Sequence, residues 1–137
     1  MTELGCLAHA RRKYFDLNAA QPNSIAQEAL SRIAALYVIE AQSQDMDAQA
    51  RTQWRQEHAQ SQLQSMYQWL LQTRVTVANG GGTAKAIDYS LKRWAALTRY
   101  ATDGRLPIDN NPVENVIRPI ALGRNNANCA FMRSLAG

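Results

Sequence analysis

Apolar residues recur at spacings of three and four through most of the first hundred positions and rarely alternate. That period marks helices that bury one stripe, and it predicts a mainly α-helical chain. A short helix is expected from His9 to Leu17. Pro22 and Asn23 break it, and Ser24 is placed to cap a second helix. That helix carries Ala26, Ala29, Leu30, Ile33, Leu36, Tyr37 and Val38 on one side and reaches about Ala41. The polar residues 42–45 read as a turn, after which Asp47 is placed to cap a long helix running to about Thr73. Its first half is polar, with Trp54 as its large apolar residue; its second half is amphipathic through Leu63, Met66, Tyr67, Leu70 and Leu71. Such a split predicts a helix that first projects from the body and then packs against it. Residues 79–82, N-G-G-G, read as a flexible connector. Thr83 is then placed to cap a helix with Ile87, Leu91, Trp94, Leu97 and Ala101 on one face. Asp103 and Gly104 end it, the glycine being able to adopt positive φ. Residues 1–8 are short and apolar and read as the tail of a buried strand or the lead-in to a helix, so strands are expected only at the two ends.

Length and composition agree with one globular domain spanning residues 1–137, of which 46% are apolar and 19% charged. Fifteen Lys and Arg against eleven Asp and Glu give a net charge of +4. Twelve of the fifteen cations are arginine, whose planar fork suits phosphate, which leans the reading towards nucleic acid beside the plainer one of a basic solvated surface. The run Arg11, Arg12, Lys13, with Tyr14 and Phe15 behind it, fits either a grip on a phosphate backbone or a solvated helix face. Two cysteines, Cys6 and Cys129, do not make a disulfide framework and read as reduced thiols, which with the lack of a secretory signal points to the cytoplasm. No apolar run is long enough to span a membrane. Cys6 and His9 have the spacing of half a zinc site, but no second pair matches them. The triple glycine is followed by Lys85 at the wrong spacing for a phosphate-binding loop, and His58, on a polar helix half, reads as solvated.

The chemistry concentrates in residues 103–124, D-G-R-L-P-I-D-N-N-P-V-E-N-V-I-R-P-I-A-L-G-R. Pro107 and Pro112 bracket a turn, with Pro112 suited to the first position of a short helix and Asn111 to its cap. Glu114 then falls third in that helix. One reading makes it half of a capping box, paired with Arg118 a turn later. The other makes it a fixed, ionised carboxylate of the kind magnesium takes, with Asp109 as a second oxygen donor and Arg118 and Arg124 as phosphate contacts. Two-metal phosphoryl transfer needs further carboxylates, and none upstream sits in a comparable motif.

Two segments resemble transposases of the insertion-sequence sixty-six family: G-C-L-A-H-A-R-R-K-Y-F-D-L at residues 5–17, and residues 103–126, which carry P-V-E-N. The helix A-I-D-Y-S-L-K-R-W-A-A-L-T-R-Y at residues 86–100 also fits that family. The resemblance implies a ribonuclease-H-like core with a DDE site, in which two aspartates and one glutamate hold Mg2+ and drive DNA strand cleavage and joining. Glu114 matches the glutamate by its place in P-V-E-N. The aspartates would belong upstream of G-C-L-A-H, so the chain is expected to be a catalytically silent fragment. On this view residues from about 22 to 83 are the helical insertion and residues 84–126 the glutamate-bearing part. The last residues, N-N-A-N-C-A-F-M-R-S-L-A-G, depart from the family pattern of lysine, asparagine and tryptophan after G-R, which suggests truncation or frame decay. The expected partner is DNA at transposon terminal repeats, contacted by Arg11, Arg12, Lys13, Arg93, Arg118 and Arg124. A homo-oligomer is also kept open, with no membrane and no small-molecule substrate. Two alternatives stand beside this one: a non-enzymatic basic helical module for DNA binding or dimerisation, and a decayed remnant.

Overall fold

A computed structural model of the chain describes residues 6–109. Six α-helices follow one another: α1 (Leu7–Ala20), α2 (Ser24–Ala41), α3 (Ala48–His58), α4 (Gln60–Arg74), α5 (Gly82–Lys92) and α6 (Trp94–Thr98). A 3₁₀ turn, Arg99–Thr102, continues α6. No strand occurs among the described residues. Of the residues 1–8 read as a strand tail or helix lead-in, Leu7 and Ala8 open α1; residues 1–5, the C-terminal strand expected, the P-V-E-N helix and Glu114, Arg118 and Arg124 lie outside the described residues.

Local chemistry sets the boundaries. Asn23, rather than Ser24, caps α2: its side chain accepts from the Ala26 N–H at 2.9 Å, and Ser24 is the first helical residue. The Asn23 amide also donates to Thr83 Oγ1 at 3.0 Å. Thr83 therefore does not cap α5, which begins one residue earlier at Gly82; its hydroxyl ties the start of α5 to the α1–α2 corner. Asp47 caps α3 as expected, accepting from the Ala50 N–H at 2.8 Å. Gly80 makes the turn before α5 at a φ of 87°, a conformation that glycine adopts without steric cost.

The core is one cluster. Leu7, Ala10 and Tyr14 of α1 meet Ala26, Ala29, Ile33 and Leu36 of α2, Leu63, Met66 and Leu70 of α4, and Ile87, Leu97 and Tyr100 near the end of the described chain. Each large aliphatic side chain buried in this way contributes about 1.5–3 kcal/mol of transfer free energy. α1 packs against α2 and α5, and α4 lies against α5. Val38 and Leu71, both placed on apolar faces by the spacing, are 60% and 41% exposed, so the two stripes are narrower than the sequence pattern drew them.

Two expected helices are broken. The long helix divides at Ala59 into α3 and α4, although Ala59 still donates to the Arg55 carbonyl and accepts from Leu63. The polar half does not project: Arg55 is 1% exposed, and α3 lies against the 3₁₀ turn. Its inward face is Ala48, Arg51, Thr52, Arg55 and Ala59, a helical period built from small residues and arginines rather than large apolar side chains. The helix expected to run from Thr83 to Ala101 likewise becomes α5, α6 and the 3₁₀ turn, with Arg93 in non-helical geometry (φ −104°, ψ 16°) between the first two.

Gly104 also differs from expectation. It has no positive φ; a Cβ there would drive into the Ala48 carbonyl and lie 2.8 Å from the backbone nitrogen of Thr52. Glycine is required by the close approach of the chain to α3, not by its torsion angles.

Candidate functional site

Arginine is central to the described structure, in a role that charge alone does not suggest. Arg55 is buried in the body, with its Nη2 2.5 Å from Glu40 Oε2 and its Nε donating to Glu40 Oε1 at 2.9 Å. Its Nη1 donates to three backbone carbonyls: Tyr100 at 2.7 Å, Asp103 at 3.0 Å and Leu106 at 2.8 Å. The guanidinium also lies 4.9 Å from the centroid of the Tyr100 ring. Glu40 neutralises the buried charge, and the fork matches the curved run of carbonyls.

One helical turn earlier, Arg51 fans over the carbonyls of Ser43, Gln44 and Met46 and donates to that of Gly104 at 2.9 Å. Beside them, Thr52 Oγ1 accepts from the Gly104 N–H at 2.7 Å, and Gln56 donates to the Ala101 carbonyl at 2.6 Å. One face of α3 thus holds the main chain from Tyr100 to Leu106. The segment next meets α2, where the Tyr37 hydroxyl donates to Asp109 Oδ1 at 2.5 Å.

Asp109, read from sequence as a tentative metal ligand, is half-buried with its carboxylate oriented by Tyr37. Hydrogen bonds of this kind orient ligating carboxylates, and they also serve purely structural ones. No three His, Cys, Asp or Glu side chains cluster to hold a metal among the described residues. Cys6 is buried and His9 exposed, so the half zinc site of the sequence is not assembled.

The basic run of α1 is dispersed. Successive helical residues are separated by about 100°, so Arg11, Arg12 and Lys13 point three ways. Arg12 pairs with Asp16 at 3.1 Å, an exposed pair, and Arg11 lies 5.8 Å from the Phe15 ring centroid. Lys13 instead reaches α5: its Nζ is 4.7 Å from the Tyr89 ring centroid, and the guanidinium of Arg93 is 4.2 Å from the same centroid. Two of the expected DNA contacts, distant in sequence, therefore meet on one ring. Tyr14, read as a companion of the basic run, is buried and has a packing role; its hydroxyl pairs with Ser90 Oγ at 2.8 Å. Burial pushes its phenol up to about 12 against the smaller opposing effect of that bond.

Other charges hold the body together. Arg74 Nε donates to Asp88 at 2.8 Å, joining α4 to α5 and holding the carboxyl below its usual range. Arg32 pairs with Glu28 and lies over the Trp69 ring. His58 meets the Trp54 carbonyl through Nδ1 at 3.1 Å and stacks on the Trp54 ring.

Sequence reasoning missed Arg51, Arg55, Glu40, Tyr37 and Tyr89. The available signal was the pair Arg51 and Arg55, set four apart on the small-residue face of α3.

The described helices thus hold the segment that leads towards P-V-E-N. In comparison with known proteins, the Transposase IS66 family matches residues 1–137, and the chain belongs to that family. Among its relatives are three uncharacterized proteins of Sinorhizobium fredii. The first, y4hP, is 36% identical over 88% of this chain and 24% of its own length. The second, y4qI, is 36% identical over 90% and 23%. The third, y4jD, is 33% identical over 89% and 24%. The chain thus spans about a quarter of the length of these curated relatives. No solved structure matches it.

Proposed function

We propose that this region supplies the metal-binding glutamate and part of the DNA-contacting surface of a DDE transposase with a ribonuclease-H-like core, acting in DNA transposition. The observation that carries the reading is the family match across the whole chain, which takes in P-V-E-N. Glu114 would hold Mg2+, with Asp109 as a further oxygen donor; both are hard ligands of the kind magnesium takes. The bound ion would polarise the scissile phosphodiester and favour an ionised nucleophile. The remaining carboxylates of a two-metal site would come from elsewhere in the transposase, so the 137 residues by themselves would not cleave DNA.

Lys13 and Arg93 support the DNA-contact part of the proposal, because they bring a cation of α1 and one from the joint between α5 and α6 to one place beside an aromatic ring. A phosphate backbone is the natural partner of such a pair. Arg11 would contact DNA only from another side of α1, Arg12 less so because Asp16 partly neutralises it, and Arg118 and Arg124 stay proposed contacts from outside the described residues. The same pair favours a second reading, a DNA-binding module that works without Glu114. Binding of the chain to a terminal-repeat duplex, measured over a salt series, tests the contact. Lys13→Ala and Arg93→Ala should each flatten the log–log salt slope by about 0.9. Affinity that ignores salt, or variants with the native slope, would remove the surface from the proposal. Mg2+-dependent nicking by the 137-residue chain would show that it carries a complete site.

A further inference from the structure

The α3 clamp faces a segment whose sequence continues into the glutamate motif. We infer that Arg55, paired with Glu40 and assisted by Arg51, is a positioning residue for that motif: it fixes the main chain of residues 100–106 so that P-V-E-N starts from a set place. The inference rests on the reading of Glu114 as a metal ligand.

Four observations carry it. Arg55 is buried, yet its Nη1 is spent on three carbonyls of one short segment rather than on its own helix. Arg51 and Thr52 hold the carbonyl and the N–H of Gly104, so a single residue is gripped from both sides of its backbone. Gly104 lies too close to α3 for any side chain. Tyr37 then holds Asp109, and only five peptide steps separate Asp109 from Glu114. Five residues reach at most about 18 Å, so holding Asp109 sets an upper limit on how far Glu114 can lie from it. A ligand carboxylate has to be held to about 0.5 Å, which calls for support of this kind behind it. The polar first half of the helix, in the part expected to be an insertion, is thereby given a task.

Buried ion pairs can often be exchanged for apolar residues of similar volume with little loss of stability, whereas a lone buried charge is costly. The test uses that asymmetry. The double variant Arg55→Met with Glu40→Leu removes both charges together. The single variant Arg55→Lys keeps the charge opposite Glu40 but cannot span three carbonyls and a carboxylate at once. Hydrogen exchange is read at the Gly104 and Leu106 amides, with the α4 amides as an internal reference. Cleavage rate and DNA affinity are read in a complete transposase carrying this region, with Glu114→Gln as the comparison.

The clamp predicts exchange at Gly104 and Leu106 at least tenfold faster in either variant, with α4 unchanged. It predicts Mg2+-dependent cleavage at least tenfold slower at a DNA Kd within twofold of native. Glu114→Gln should abolish cleavage and leave the exchange as in the native protein. Unchanged exchange at the two amides overturns the clamp whatever happens to cleavage. Faster exchange with full cleavage, in a protein that Glu114→Gln inactivates, overturns the positioning role. Full cleavage by Glu114→Gln overturns the reading of Glu114, and the positioning role with it, while the exchange result still reports whether α3 holds the segment.

Discussion

Replacing Gly104 by alanine is the sharpest local test of how the described chain is held. The added Cβ would meet the Ala48 carbonyl and, at 2.8 Å, both the backbone nitrogen and the hydroxyl of Thr52. Two of these three atoms belong to helix backbone and cannot swing aside, so the loop must lift off α3. Lifting breaks the bond from the Gly104 N–H to Thr52 Oγ1 and the bond from Arg51 to the Gly104 carbonyl. A neutral hydrogen bond is worth about 1 kcal/mol net, and one to a charged group about 1.5–3 kcal/mol. The expected loss is therefore about 2–4 kcal/mol, before any disturbance at Arg55. Gly80 supplies the contrast: it sits at a φ of 87° with open space around it, so Gly80→Ala should cost only the backbone penalty, about 1–2 kcal/mol. Urea unfolding followed by circular dichroism measures both. Gly104→Ala with stability equal to native, or less destabilised than Gly80→Ala, would refute the close-approach argument.

Two further outcomes are expected. Burial pushes the Tyr14 phenol from 10.0 up to about 12, so the unfolded chain gives up that proton at a lower pH than the folded one. Stability is then fully present below pH 10 and declines as pH rises towards 12, by about 2 kcal/mol from this group by pH 11.5, as urea midpoints between pH 8 and 11.5 will show. Tyr100 is shifted in the same direction, chiefly by burial and then by Glu40, so the decline should shrink but not vanish in Tyr14→Phe. The Tyr100 hydroxyl is itself buried without a hydrogen-bond partner among the described residues. Tyr100→Phe keeps the ring beside Arg55 and removes the unsatisfied group, and it should stabilise the chain by about 1 kcal/mol in the same denaturation assay; a loss of that size would mean that the hydroxyl is satisfied.

The parts of the fold legible in the sequence were those written in large apolar side chains. Ile33 and Leu36 in α2, and Leu63, Met66 and Leu70 in α4, fall at helical spacing and are buried as that spacing requires. The parts that were not legible follow from polar groups used inwardly. The spacing of Leu, Ile and Met says nothing about α3, because its buried face is Ala48, Thr52, Ala59 and two arginines; polarity there signals a second kind of core, not solvent. The break at Ala59 was equally silent, having neither proline nor glycine to mark it. The candidate site divides in a similar way. P-V-E-N is a local pattern and carries the family resemblance, which the family match then shows. The encounter of Lys13 with Arg93 on Tyr89, and of Tyr37 with Asp109, joins residues 80 and 72 positions apart, and no local pattern records it.

The most direct test of the central claim is DNA cleavage by a complete transposase carrying this region, with Glu114 exchanged for glutamine. Glutamine keeps the size and polarity of the side chain and removes the charge that a magnesium ion requires. The account predicts Mg2+-dependent cleavage of a terminal-repeat duplex by the native protein, its loss in Glu114→Gln, and equal DNA affinity in the two. Cleavage by Glu114→Gln at the native rate would contradict it and leave Glu114 as a helix-capping residue.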